Sequence, residues 1–178
     1  REVEEVVKRS EKSVKEMEDK SRETVKKSRK SAKEDIDKVE EVVRRVEKVL
    51  REAKKLADDG EDRRTIEKIL RDIEEELRRV EEESRRSLKK DREDNKKSLK
   101  ELEELFDRDR RELEEVAKRN VDKDVIEEVR KKSDEVLKRV RKINKEVTEE
   151  SERAFDESRR ILETVAREVK RVIDEVRR

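Results

Sequence analysis

The sequence predicts an all-α protein whose 178 residues form an elongated, coiled-coil-like, up-down-up antiparallel three-helix bundle. Three observations lead to this prediction. The composition is rich in charged helix-forming residues, three long stretches carry apolar residues at alternating steps of three and four, and two short breaks separate those stretches. Because short connections between long helices make consecutive helices antiparallel neighbours, the break lengths predict the topology.

The composition favours helices over disorder. Charged residues make up 61% of the chain and hydrophobic residues 28%, with 55 basic side chains against 54 acidic ones. Disordered segments share this low hydrophobicity, but they favour proline, glycine and a high net charge. This chain has no proline, a single glycine and a net charge of +1. We therefore expect long, charged helices.

The three predicted helices are nearly equal in length. The first covers about residues 2–57, the second about 62–118 and the third about 122–178. Each keeps a core stripe at steps of three and four, which is the spacing of one helix face in a coiled coil. The three helices are predicted to form a single domain, residues 1–178.

The two breaks carry helix stop and start signals. Gly60 suits the left-handed position that ends a helix, and Asp62 can accept a hydrogen bond from the first free amides of the next one. At the second break, Asn120 is the tolerated substitute for glycine, and Asp122 is the predicted cap of the third helix.

The core stripe becomes polar in the middle of each helix, and single polar positions interrupt it elsewhere. An unpaired buried polar group costs about 1–3 kcal/mol, so we expect these side chains to bond to one another, to backbone or to water. The predicted structural polar core positions are Ser10, Ser21, Thr24, Ser28, Ser84, Ser87, Asp91, Asn95, Ser98, Asp109, Ser133, Asn144, Ser151 and Ser158.

Antiparallel pairing predicts that these positions form layers. With turns near residues 60 and 120, positions equally far from a turn lie at one height. Each helix also has one place where two four-residue steps follow each other, which locally relaxes a left-handed supercoil. In the third helix that place is Ile143–Val147–Ser151. The predicted layers are Ser10–Asp109–Ser133, Ser21–Ser98–Asn144, Thr24–Asn95 beside Val147 and Thr148, Ser28–Asp91–Ser151, and Ser84 and Ser87 opposite Ser31 or Asp35 of the first helix and Ser158 or Ala154 of the third.

The polar layers have three interpretations. In the first, they are hydrogen-bond networks that fix helix register, as a buried asparagine does in coiled coils. Alternatively, they form a hydrated cavity, or a ligand or cation site built on Asp91 and Asp35. The third interpretation is a loosely packed middle. A rigid helix seam offers few of the six to eight oxygens that calcium prefers, and no aromatic side chain lines a pocket there.

The missing residue types exclude several function classes. The chain has no histidine and no cysteine, so it lacks the usual zinc ligands, disulfides and thiol or imidazole catalysts. We predict no enzyme activity, no cofactor and no metal. Acidic residues interrupt every basic cluster, so neither nucleic acid nor a membrane surface is an expected partner. No targeting signal or membrane span is predicted. We therefore expect a soluble chain, cytoplasmic on recombinant expression, whose natural location the sequence leaves unknown.

The residue pattern resembles de novo designed helical bundles with buried hydrogen-bond networks. The segments SRRSLKKDREDNKKSLKELEEL and NKEVTEESERAFDESRRIL carry this resemblance, together with the missing residue types. It implies a structural scaffold without a natural biochemical activity, and a monomer. The alternative is a designed interaction module that forms a homo-oligomer or binds a helical partner. Its candidate contact residues are Val42, Val43, Val46 and Val49, or Phe106 and Phe155. A natural spectrin-like repeat is the third alternative.

Overall fold

The computed structural model describes residues 2–119 and 123–178, which form three antiparallel helices packed against one another as a bundle. Helix α1 is Glu2–Asp58, α2 is Arg63–Arg119 and α3 is Lys123–Arg177. Glutamate, lysine, arginine and leucine have high helix propensity, and no proline interrupts any helix. The predicted fold class, an all-α three-helix bundle, is confirmed. No described helix segment is both long and apolar enough to cross a membrane.

The α1–α2 connection has the predicted end signals. Gly60 has a φ of 78°, and its amide donates to the Ala57 carbonyl at 3.2 Å while the Glu61 amide donates to the Leu56 carbonyl at 3.1 Å. These two bonds make a Schellman end, which satisfies carbonyls that the helix leaves free. The Arg64 amide donates to Asp62 Oδ1 at 3.2 Å, so Asp62 caps α2.

The predicted end signals of the second connection, Asn120 and Asp122, lie outside the described residues.

The chain divides into two compact units, and each contains a segment of all three helices. Unit 1 comprises Arg1–Arg29 and Asp91–Glu150, and unit 2 comprises Lys30–Lys90 and Ser151–Arg178. Unit 2 is built on one continuous apolar core from all three helices, in which Leu70 and Val169 have no measurable exposure. Its buried residues include Val46 and Leu50 of α1.

The core of unit 1 consists of two separate hydrophobic clusters. The end cluster contains the buried residues Val3, Val6, Leu113, Val116, Ile126 and Val129. The middle cluster contains the buried residues Met17, Leu102, Phe106, Val136 and Val140. The polar positions Ser10, Asp109 and Ser133 fall between these clusters along α1, α2 and α3.

The prediction that Ile143 occupies a core position is wrong, because 38% of the surface of this residue is exposed. The inward position is taken by the next residue, Asn144, which is half-buried and bonds across to α2. The core of α3 therefore steps from Val140 to Asn144 to Val147. Two successive four-residue steps thus occur at Val136–Val140–Asn144, seven residues earlier than predicted. Periodicity could not distinguish 143 from 144, because a step of three and a step of four from Val140 both return to the two sides of the core stripe.

Candidate functional site

All fourteen polar positions predicted for the core are at least partly shielded from solvent. Seven are buried: Ser10, Ser21, Ser28, Asn95, Ser133, Ser151 and Ser158. The other seven are half-buried: Thr24, Ser84, Ser87, Asp91, Ser98, Asp109 and Asn144. The candidate site is therefore a set of buried and half-buried polar groups, and three groups of them have defined geometry.

The Asn95 cluster, formed by Thr24, Ser28, Asn95, Ser98 and Asn144, lies in unit 1 and joins all three helices. Asn95 is 4% exposed, and its Nδ2 donates to Ser28 Oγ of α1 at 3.3 Å. Asn144 Nδ2 of α3 donates to the backbone carbonyl of Asn95 at 3.2 Å. One residue of α2 is therefore bonded to a side chain of each neighbouring helix.

The hydroxyl pair of this cluster has a defined donor direction. Thr24 Oγ1 lies 3.0 Å from the Lys20 carbonyl of its own helix and 3.1 Å from Ser98 Oγ of α2. A hydroxyl has one proton to donate, and a carbonyl can only accept. Thr24 therefore donates to Lys20, and Ser98 donates to Thr24.

These hydrogen bonds shift the predicted α1–α2 pairing by one core step. The predicted partners were Ser98 with Ser21 and Asn95 with Thr24, whereas the observed partners are Thr24 and Ser28. The physical reason is the direction of the side chains, since Cα–Cβ bonds tilt toward the N-terminus of their own helix. In an antiparallel pair, a residue of α1 therefore meets a residue of α2 that is slightly farther from the turn than the α1 residue is.

In unit 2, the predicted polar positions Ser84 and Ser87 lie at a surface groove between α1 and α2. Ser87 Oγ donates to Asp35 Oδ2 at 2.5 Å, which is one of the predicted pairings. The open groove has a volume of about 580 Å³, and Val42, Val80 and Ser84 line it together with Asp35 and Ser87. Its remaining lining residues alternate in charge: Lys38, Glu41, Arg45, Glu76, Arg79 and Glu83. This mixture selects neither an anion nor a cation.

The Asp109 level, formed by Ser10, Ser13, Asp109, Arg110 and Ser133, separates the two clusters of unit 1. Arg110 Nη2 donates to Asp134 Oδ2 at 3.1 Å, which brings α2 and α3 together beside Ser133. Burial raises the pKa of the Asp109 carboxyl, and a hydrogen bond from the Ser13 hydroxyl partly opposes that rise. Among the described residues, no hydrogen-bond partner reaches Ser10 Oγ, Asp109 Oδ2 or Arg110 Nε.

Sequence reasoning missed two members of the Asp109 level. Ser13 lies next to the predicted stripe and bonds to the carboxyl, and Arg110 forms the ion pair to α3. A sequence signal existed for Ser13, because it lies one helical turn from Ser10 and can share its face. No signal existed for Arg110 in a chain with 55 basic residues.

Most of the apolar residues that the interaction-module alternative requires are packed in this chain's own core. Val42, Val43 and Val46 are buried in unit 2, and Phe106 is buried in unit 1. Val49 and Phe155 are half-buried. No group of three or more acidic side chains within residues 2–119 and 123–178 is arranged to hold a metal ion.

Comparisons with known proteins identify the fold. No protein-family model and no curated protein matches this chain. A solved structure described as a "Computationally designed three helix bundle" matches with a TM-score of 0.53 and 20% sequence identity, over 99% of this chain and 92% of that one. At this identity the similarity concerns the fold alone. The chain therefore has the fold of a three-helix bundle, similar to a designed one, with buried serine and asparagine side chains joined by hydrogen bonds.

Proposed function

We propose that this chain is a designed structural scaffold without a natural biochemical activity, in which the buried polar side chains fix the register of the helices. The observation that carries the proposal is the position of Asn95, which is 4% exposed and bonded to Ser28 of α1 and Asn144 of α3. A shift of α2 by one heptad would put Leu88 or Leu102 in the place of Asn95, so Ser28 would lose this side-chain partner and Asn95 would leave its own.

The energetic argument is that such bonds disfavour the wrong alignments more than they stabilise the right one. A buried hydrogen bond contributes about 1 kcal/mol net, whereas an orphaned buried polar group costs about 1–3 kcal/mol. Valine and leucine contacts discriminate less, because one apolar side chain can replace another after a heptad shift. Adjacent layers are chemically distinct, because one contains Ser28 and Asn95 and the next contains Thr24 and Ser98.

The Asn95→Leu substitution tests this role. Spin labels on cysteines at exposed Lys12 and Glu101 report the alignment of α1 and α2 in unit 1, because the Asn95 side chain bonds to α1, and the chain has no cysteine of its own. We expect one interlabel distance in the unsubstituted chain and a second population in Asn95→Leu. A heptad slip moves a label by about 10 Å along the axis. We expect the unfolding temperature to be unchanged or raised, because leucine removes a polar group from the core.

The matched control is Asp94→Leu, which places the same side chain at the exposed neighbouring position. This variant should keep a single interlabel distance. If Asn95→Leu also keeps the single distance of the unsubstituted chain, apolar packing alone sets the register and the proposed role is wrong.

A further inference from the structure

The two hydrophobic clusters of unit 1 are separated at one height by polar groups on every helix. On α1 the end cluster extends to half-buried Val7 and the middle cluster begins at half-buried Val14. On α2 the two clusters end at Leu113 and Phe106. Ser10, Asp109 and Ser133 occupy the interval. Apolar side chains on its two sides belong to different contact clusters, so apolar packing couples the two sides weakly.

The polar groups in this interval do not replace the missing apolar contacts. Ser10 is 4% exposed, and among the described residues its Oγ has no hydrogen-bond partner. Asp109 Oδ2 and Arg110 Nε are likewise buried without a partner in the described part of the chain. Each such group costs free energy in the closed bundle that water would recover on opening. The level therefore favours separation of the segments on its two sides.

The surroundings of the Asp109 carboxyl make this cost dependent on its charge. The charged residues acting on it belong to its own helix, with Arg108 favouring ionisation and Glu112 opposing it. From α1 it meets the Ser13 hydroxyl, with Ser10 one turn away, and α3 contributes Ser133 at this height.

The guanidinium of the next residue, Arg110, is engaged with Asp134 of α3 and forms no ion pair with Asp109 among the described contacts. Ionised Asp109 therefore places a charge between two apolar clusters with hydroxyls as its neighbours inside the bundle.

We propose that the Asp109 level divides unit 1 into two cooperative segments, and that the end segment opens more readily when the Asp109 carboxyl is ionised. The end segment comprises residues 2–9 of α1, 111–119 of α2 and 123–132 of α3, and its core is the end cluster. Local opening of this kind is independent of the register role of the Asn95 cluster. The raised pKa of Asp109 agrees with this direction, because burial favours the neutral carboxyl in the closed form.

Native-state hydrogen exchange on the full chain tests the division. Amides at Val6, Val116 and Val129 report the end segment, and those at Met17, Leu102 and Val140 report the middle cluster. With rates referred to the intrinsic exchange at each pH, we expect the end segment to be less protected by about tenfold or more, the equivalent of one orphaned group. Protection in the end segment should fall as pH rises through the Asp109 pKa. Equal protection on both sides would overturn the proposed division.

Three substitutions separate the effect of the Asp109 carboxyl from the effects of net charge and fold: Asp109→Asn, Asp107→Asn and Ser10→Ala. Asp109→Asn mimics the neutral acid, so it should raise end-segment protection at neutral pH, remove the pH dependence and leave the middle cluster unchanged. Asp107→Asn removes the same charge at an exposed position of α2 and should change neither segment.

Ser10→Ala removes a hydroxyl that has no partner among the described residues, without changing charge, and should also raise end-segment protection. Equal effects of Asp107→Asn and Asp109→Asn would overturn the proposal. It would also be overturned if Asp109→Asn had no effect, or if Ser10→Ala had no effect.

Discussion

At the scale of single residues, Glu168 shows how a half-buried glutamate connects two helices. Lys54 Nζ of α1 donates to Glu168 Oε1 at 2.9 Å, and Arg171 Nη2 of its own helix donates to the same oxygen at 2.7 Å. Hydrogen bonds from Arg171 and Lys54 lower the pKa of Glu168 to about 2. The carboxylate is accessible to solvent, so salt screens these interactions.

The lowered pKa predicts an acid-dependent loss of stability. A depressed folded-state pKa contributes stability above the unfolded pKa near 4.5, and that contribution disappears as pH falls toward about 2. We expect Glu168→Gln to unfold at a lower temperature than the unsubstituted chain at pH 6, with the difference vanishing near pH 2. Thermal unfolding followed by circular dichroism measures this. Glu157→Gln, at an exposed position of α3, is the control, and an equal effect of both substitutions would contradict the prediction.

At the scale of the secondary-structure element, the α1–α2 connection depends on one backbone conformation. Gly60 has a φ of 78°, a region that side-chain-bearing residues adopt at a cost. A Cβ built at this position meets no atom within 4 Å, so a substitution there would change backbone strain without a steric clash. The hydrogen bonds from Gly60 and Glu61 to Ala57 and Leu56 both require this conformation.

Gly60→Ala should therefore destabilise the bundle by about 1 kcal/mol through backbone strain. Gly60→Asn should destabilise it less, because asparagine enters the left-handed region more readily than alanine. Chemical denaturation of both variants gives the two free energies of unfolding. An alanine variant as stable as the parent, or an asparagine variant less stable than alanine, would show that the connection tolerates another conformation.

At the scale of the whole molecule, most apolar side chains of the described residues pack against other residues of the same chain. Val125 and Ile143 are exposed by 45% and 38%, and they lie on α3 more than four turns apart. Isolated exposed apolar residues of this kind are normal on monomeric proteins. The surface is otherwise dominated by charges of both signs, with ion pairs three and four residues apart along single helices.

We therefore propose that the chain is monomeric. Sedimentation equilibrium at micromolar concentrations should give a mass near 21.6 kDa that does not change with concentration. A dimer or trimer mass would instead favour the interaction-module alternative. Ile143→Glu provides a second readout, because it should leave the mass and the unfolding temperature nearly unchanged if this residue faces solvent in the monomer.

Local chemistry made several features predictable from the sequence. Gly60 and Asp62 could be assigned to the first connection because a helix end needs a left-handed residue and a helix start needs an acceptor. The polar core positions could be identified because they continue the spacing of the apolar stripe. The fold class followed from that spacing and from the short breaks.

The sequence by itself determined three helices, their antiparallel order and which polar residues face the core, because helix periodicity and end signals are local properties. Only the tertiary structure decided which groups meet. The tilt of side chains toward each N-terminus pairs Ser98 with Thr24 rather than Ser21, and Asn144 displaces Ile143 from the core. Asp109 obtains a bond from Ser13 while its Oδ2 remains unpartnered among the described residues. Such pairings depend on offsets of about one residue between helices, or about 1.5 Å, which a single helix does not encode.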